Sequence, residues 1–132
     1  MKKDIGNRDD IAVLINRFYE KVRGNEQIGY IFNDIAKVNW EHHLPIMYDF
    51  WENVLFHTGT YARNAIGIHK NLIQLTPLRQ EHFAEWLRLW KETVDELFEG
   101  SNAEIIKQRA TSIATVMQIS IFQGGISSVR DR

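Results

Sequence analysis

Apolar residues return every three or four positions along four long stretches of this 132-residue chain, and that spacing commits it to helices. The cleanest stretch carries Phe83, Trp86, Leu87, Trp90, Val94 and Leu97 and stops at Gly100. Thr76-Pro77 ahead of it reads as a helix opening, with threonine as cap and proline at the first helical position. Ile11, Leu14, Ile15, Phe18 and Val22 mark an earlier helix that begins near Asp9-Asp10 and ends at Gly24-Asn25, with Tyr19 on its inward side. Residues 26–33 hold Ile28, Ile31 and Phe32 and read as a corner that plugs the core.

A second long helix is expected from Lys37 or Val38 to Phe56, with Trp40, Leu44, Met47, Trp51, Val54 and Leu55 inward. Pro45 suits an early turn, so the start could lie nearer His42. His42 falls opposite the stripe, in solvent, and His43 at its rim. His57 to Thr60 is a loop. Ser101-Asn102-Ala103-Glu104 reads as a capping box for a last helix that buries Ile106, Ala110, Ile113, Met117 and Ile121 and ends at Gly124-Gly125. Residues 1–8 and 124–132 are expected to be loose. No strand alternation, repeat or linker interrupts the pattern. One all-α domain over 1–132 is the reading, and periodicity alone admits a plain helical bundle.

Composition excludes several functions. A net charge of −1 supplies no basic field for nucleic acid or acidic membranes. The absence of cysteine rules out disulfides, thiol catalysis, iron–sulfur clusters and thiolate-ligated haem. Met1-Lys2-Lys3 is followed by no apolar signal core, and no apolar run reaches membrane-spanning length. A cytoplasmic monomer is the expectation.

The segment from Ala62 to Ile73 is short, and on a helix Ala62, Ala65, Ile66 and Ile73 form one stripe with His69 near its centre. Taken alone, such a histidine is more often a core residue with satisfied nitrogens than a metal ligand. Di-iron bundles need Glu-x-x-His, yet every glutamate here has another residue three positions on. His-Glu-x-x-His is absent, and the five histidines lack the clustering of a closed zinc site. One inward histidine is the number that haem needs on its proximal side.

Phe18-Tyr19, His43-Leu44 followed by Phe50-Trp51, Tyr61, His69 and His82-Phe83-x-x-Trp86-Leu87 occur in an order that resembles the truncated haemoglobins, specifically their third group. The resemblance spans roughly residues 11 to 100 and implies a globin-like, two-over-two helical sandwich around haem b. His69 would then be the proximal iron ligand, its second nitrogen donating to the carbonyl of Ala65 or Ile66. Tyr19, Trp86 and His43 match the distal residues. A phenol O–H or an indole N–H there favours a ligand that carries partial negative charge, by about 1.5–3 kcal/mol. Phe32, Met47, Trp51 and Phe83 match the apolar lining, although each would be core in any helical protein. The haem propionates need cations or hydroxyls: Tyr61 matches a family tyrosine in the loop before the proximal segment, Arg63 stands where many relatives have glycine, and His57 is nearby.

The resemblance implies reversible binding of dioxygen and other diatomic gases. The alternative within the family is a haem enzyme acting on peroxide or nitric oxide, which would need a reductase for catalytic cycling. A peroxidase wants a carboxylate behind its proximal histidine, and the residues one turn from His69 are Ala65, Ile66, Leu72 and Ile73. No flavin or nicotinamide motif is present. A haem-free helical interaction domain is the remaining alternative.

Overall fold

A computed structural model describes residues 2–31, 33, 39–57 and 79–130. Four long helices account for most of them: α1 (Arg8–Arg23), α2 (Trp40–Phe56), α3 (Gln80–Leu97) and α4 (Ser101–Arg130). No strand occurs among the described residues. The helix α1 packs against α2 and α3, and α4 packs against α3 and α2. The arrangement is therefore two helix pairs laid one over the other, all-α as the periodicity requires.

Trp90 on α3 is the residue on which all four helices meet. It is 1% exposed. Its ring stacks on Trp51 of α2 at 4.5 Å and takes the edge of Phe18 of α1 at 4.9 Å. Its indole Nε1–H donates to the Ile106 carbonyl of α4 at 3.2 Å. Each aromatic pair is worth about 0.5–1.5 kcal/mol beyond the area it buries. The bond to Ile106 satisfies a polar group that would otherwise be expensive in the core. Ile11, Leu14, Ile15, Val22, Val94 and Ala110 complete the interior, as their spacing predicts.

Helix boundaries follow local chemistry. Asn7 caps α1 by accepting from the Asp10 amide, so the helix starts at Arg8, one residue before the expected acidic start. Asn39 caps α2, which starts between the two positions that the sequence allowed and puts Pro45 in its second turn. The helix α3 begins at Gln80, after an extended Arg79, and so later than Thr76-Pro77 implies; those two residues lie outside the described ones. Instead of a threonine cap, the Nδ1 of His82 accepts from the Arg79 amide. Ile28 and Ile31 are buried in the corner after α1, as expected.

Three expectations need correction. Residues 2–6 are not loose. Ile5 is fully buried, the Glu99 amide donates to the Lys3 carbonyl, and Lys3 pairs with Asp10 at 2.7 Å. The cap of α4 is not Ser101, which lies inside the helix. Asp4 supplies it from the other end of the chain, accepting from the Asn102 and Ala103 amides at 2.9 Å each. A carboxylate there also meets the positive end of the helix dipole. The chain reaches this cap through Gly100 at φ +137°, where a Cβ would stand 2.5 Å from the Asp4 Cγ. Finally, α4 does not stop at Gly124-Gly125 but continues to Arg130. Helical glycine costs only about 1 kcal/mol, and among the described residues none after it is left-handed to turn the chain away. The side chains of Met117 and Ile121 lie outside those described.

Candidate distal pocket

Tyr19 lies on α1 one residue past Phe18, and its position puts the ring in the interior, 3% exposed. Trp40 and His43 are three apart on α2, hence on one face of that helix. The two helices bring the three rings together. Tyr19 lies 4.9 Å from Trp40 and 5.6 Å edge-on to His43, and Trp40 lies 5.7 Å from His43. Trp40 and His43 are half-buried, whereas His42 next door is exposed, as the helical spacing predicts. The Nε2 of His43 is shielded from solvent.

On the other side of Phe18 stands Trp86 of α3. Its ring takes the Phe18 edge at 5.7 Å and runs parallel to Trp90 at 6.1 Å. Phe18 therefore touches both Tyr19, at 4.9 Å, and Trp86. The adjacent Glu85 accepts from Asn25 at 2.6 Å and pairs with Arg88 at 2.7 Å, tying α3 to the corner after α1. Arg88, aided by the Asn25 amide against the cost of partial burial, holds the Glu85 carboxyl below its usual range. Farther along the seam, Lys21 and Arg17 of α1 both pair with Glu96 of α3. Isolated surface pairs contribute little, but a chain of them fixes how two helices slide against each other.

The electrostatics favour a neutral phenol. Burial pushes the Tyr19 hydroxyl well above the ordinary range for tyrosine, so it keeps its proton at any physiological pH and can donate. Among the described residues, no group of three or more His, Asp or Glu side chains could hold a bare metal ion. What the site offers is a phenol and an imidazole within an aromatic wall. That donor set suits hydrogen bonding to a small polar ligand better than it suits coordination of a bare metal ion.

Met47, Trp51 and Phe83 are buried, and Trp51 is committed to the Trp90 stack. Phe32, Tyr61, Arg63 and His69 lie outside the described residues. Two neighbours of the pocket were not singled out from the sequence. Trp40 enters the sequence reading only as part of an apolar stripe, and Arg23 does not enter it at all. Helical spacing could have found both, since Trp40 precedes His43 by three and Arg23 follows Tyr19 by four. No described helix is long and apolar enough to cross a membrane.

The chain matches no protein-family model. It is 32% identical over 128 residues to the group 3 truncated haemoglobin ctb of Campylobacter jejuni, an alignment covering 95% of this chain and 98% of that protein. Its fold superposes on the crystal structure of a group III truncated haemoglobin from Campylobacter jejuni with a TM-score of 0.76 and 34% identity. That match covers 89% of this chain and 93% of the other.

Proposed function

Because the chain belongs to the group III truncated haemoglobins, we propose that it holds haem b through His69 and binds dioxygen and other diatomic gases reversibly. The observation that carries this reading is the meeting of the buried Tyr19 phenol and the half-buried His43 imidazole, 5.6 Å apart, on helices that also supply Trp40. Family membership implies haem, and the wall of rings around these two polar groups fits a flat apolar cofactor. Haem, when bound, would supply an iron that can take a small gas as a ligand.

The remaining steps belong to the chain. His69 would offer Nε2 as a neutral imidazole, with its other nitrogen donating to the Ala65 or Ile66 carbonyl to fix the tautomer. Tyr19, held neutral by burial, donates its O–H toward a ligand atom that gathers negative charge. Trp86 offers an indole N–H, a donor that titration cannot remove. His43 at the rim can give or take a proton between pocket and water. Phe32, Met47 and Phe83 would line the macrocycle, and Tyr61 and Arg63 would face its propionates.

Absorption spectra of the purified protein under vacuum, dioxygen and carbon monoxide test the proposal. A Soret band that shifts on adding gas and returns on its removal is expected. Apoprotein that takes up no added haemin would leave a helical interaction domain as the reading.

A further inference from the structure

Three cations along the seam between α1 and α3 are matched by carboxylates. Arg17, Lys21 and Arg88 pair with Glu96, Glu92 or Glu85. Arg23, at the last turn of α1, has no carboxylate within ion-pairing distance among the described residues. Its guanidinium instead lies over the Trp40 ring, 4.9 Å from the centroid, and its Nε–H donates to the Tyr19 carbonyl at 3.3 Å. Its own carbonyl accepts from Asn33 at 3.0 Å, and Gly29 approaches so closely that a Cβ there would stand 2.8 Å from that carbonyl oxygen. The main chain of Arg23 is thus fixed, and its guanidinium rests on the outer face of the ring at the solvent boundary.

The burial order gives this placement its meaning. Arg23 is exposed, Trp40 and His43 are half-buried, and Tyr19 is buried behind them. Trp40 is in ring contact with both pocket residues, so the guanidinium sits one side chain outward from the phenol and the imidazole. The nearest acidic residue in sequence on that stretch of α2, Glu41, is exposed and does not pair with it.

We propose that Arg23, laid on Trp40, makes the solvent side of the pocket selective for small anions, of the azide or nitrite class, over neutral gases. The inference rests on the haem reading given above, since such anions need the ferric iron as their endpoint. A unit charge at roughly 10 Å raises the local concentration of a monovalent anion by about 2-fold in bulk water and about 15-fold at the effective dielectric constant of a protein surface. Salt at physiological strength screens most of that gain, because the Debye length is then about 8 Å.

The test uses the ferric haem-loaded protein and Arg23→Gln, which keeps a planar donor and loses the charge. Azide association is followed by stopped flow at low and high salt, under mildly alkaline conditions where azide is an anion. Carbon monoxide association to the ferrous forms is the neutral control. Azide association should slow by roughly 2- to 15-fold in Arg23→Gln at low salt. Carbon monoxide should be unaffected, and Arg23→Lys should retain most of the azide rate. Protein that takes up haem but binds azide equally fast with and without the charge overturns the anion inference alone. An equal slowing of azide and carbon monoxide also overturns it, because it assigns Arg23 a steric role. Failure to take up haem overturns this inference and the haem reading together.

Discussion

Replacing Tyr19 by phenylalanine removes one oxygen and leaves the ring. The ring contacts at 4.9 Å to Phe18, 4.9 Å to Trp40 and 5.6 Å to His43 involve carbon faces and edges, so Phe can keep them. The fold should lose no more than about 0.5–1.5 kcal/mol, the net worth of one hydrogen bond. The ligand should lose more. A neutral O–H donated to an atom carrying partial charge is worth about 1.5–3 kcal/mol, which at RT near 0.59 kcal/mol is a factor of roughly 10 to 150 in the dissociation rate. Since burial keeps the phenol protonated, this factor should hold across neutral and mildly alkaline pH. Stopped-flow displacement of dioxygen by excess carbon monoxide measures it, and carbon monoxide dissociation serves as the control because that ligand gathers little charge. A dioxygen off-rate unchanged in a Tyr19→Phe protein that retains haem would refute the reasoning.

Asp4→Ala should cost about 0.5–2 kcal/mol in thermal or denaturant unfolding, the usual penalty for a lost helix cap, although Asp4 lies 98 residues before the Asn102 amide it caps. Its pH dependence has a definite sign. Partial burial opposes the Asp4 charge, but the Asn102, Ala103 and Ile5 amides outweigh it and hold the carboxyl below its usual range. The contribution is therefore present above the unfolded pKa, about 3.9, and is lost as pH falls through the lower folded value. Stability of the wild type and Asp4→Ala should converge in acid, and curves that stay parallel down to strong acid would argue against the cap. Gly100→Ala should destabilise by more than about 1 kcal/mol, because alanine resists φ +137° and its Cβ would displace the Asp4 carboxylate. An Asp4→Ala/Gly100→Ala pair should lose less than the sum of the two single changes, which a double-mutant cycle measures.

Helices α1 and α3 were legible because their apolar residues keep strict helical spacing: Ile11, Leu14, Ile15, Phe18 and Val22 are buried on α1, and on α3 Phe83, Trp90 and Val94 are buried with Trp86, Leu87 and Leu97 partly buried beside them. The rim position of His43 and the solvent position of His42 came from the same geometry. What periodicity cannot show is which distant group completes a local signal. Ser101 carries a sound capping pattern, yet the α4 amides go to Asp4, because a carboxylate brought by the buried Ile5 satisfies two of them and meets the helix dipole as well. The Trp90 stack is similar. Its partners Phe18, Trp51 and Ile106 come from three other helices, and no sequence spacing relates them. Arg23 is the opposite case, with a local signal at four residues from Tyr19 and a role visible only once Trp40 lies under it.

Haem titration of apoprotein, followed at the Soret band for the wild type and His69→Ala, tests the proposed iron ligand most directly. The account predicts saturation at one haem per wild-type chain, with binding lost or greatly weakened in His69→Ala and retained in Tyr19→Phe. Equal affinity and an unchanged ferrous spectrum in His69→Ala would contradict it.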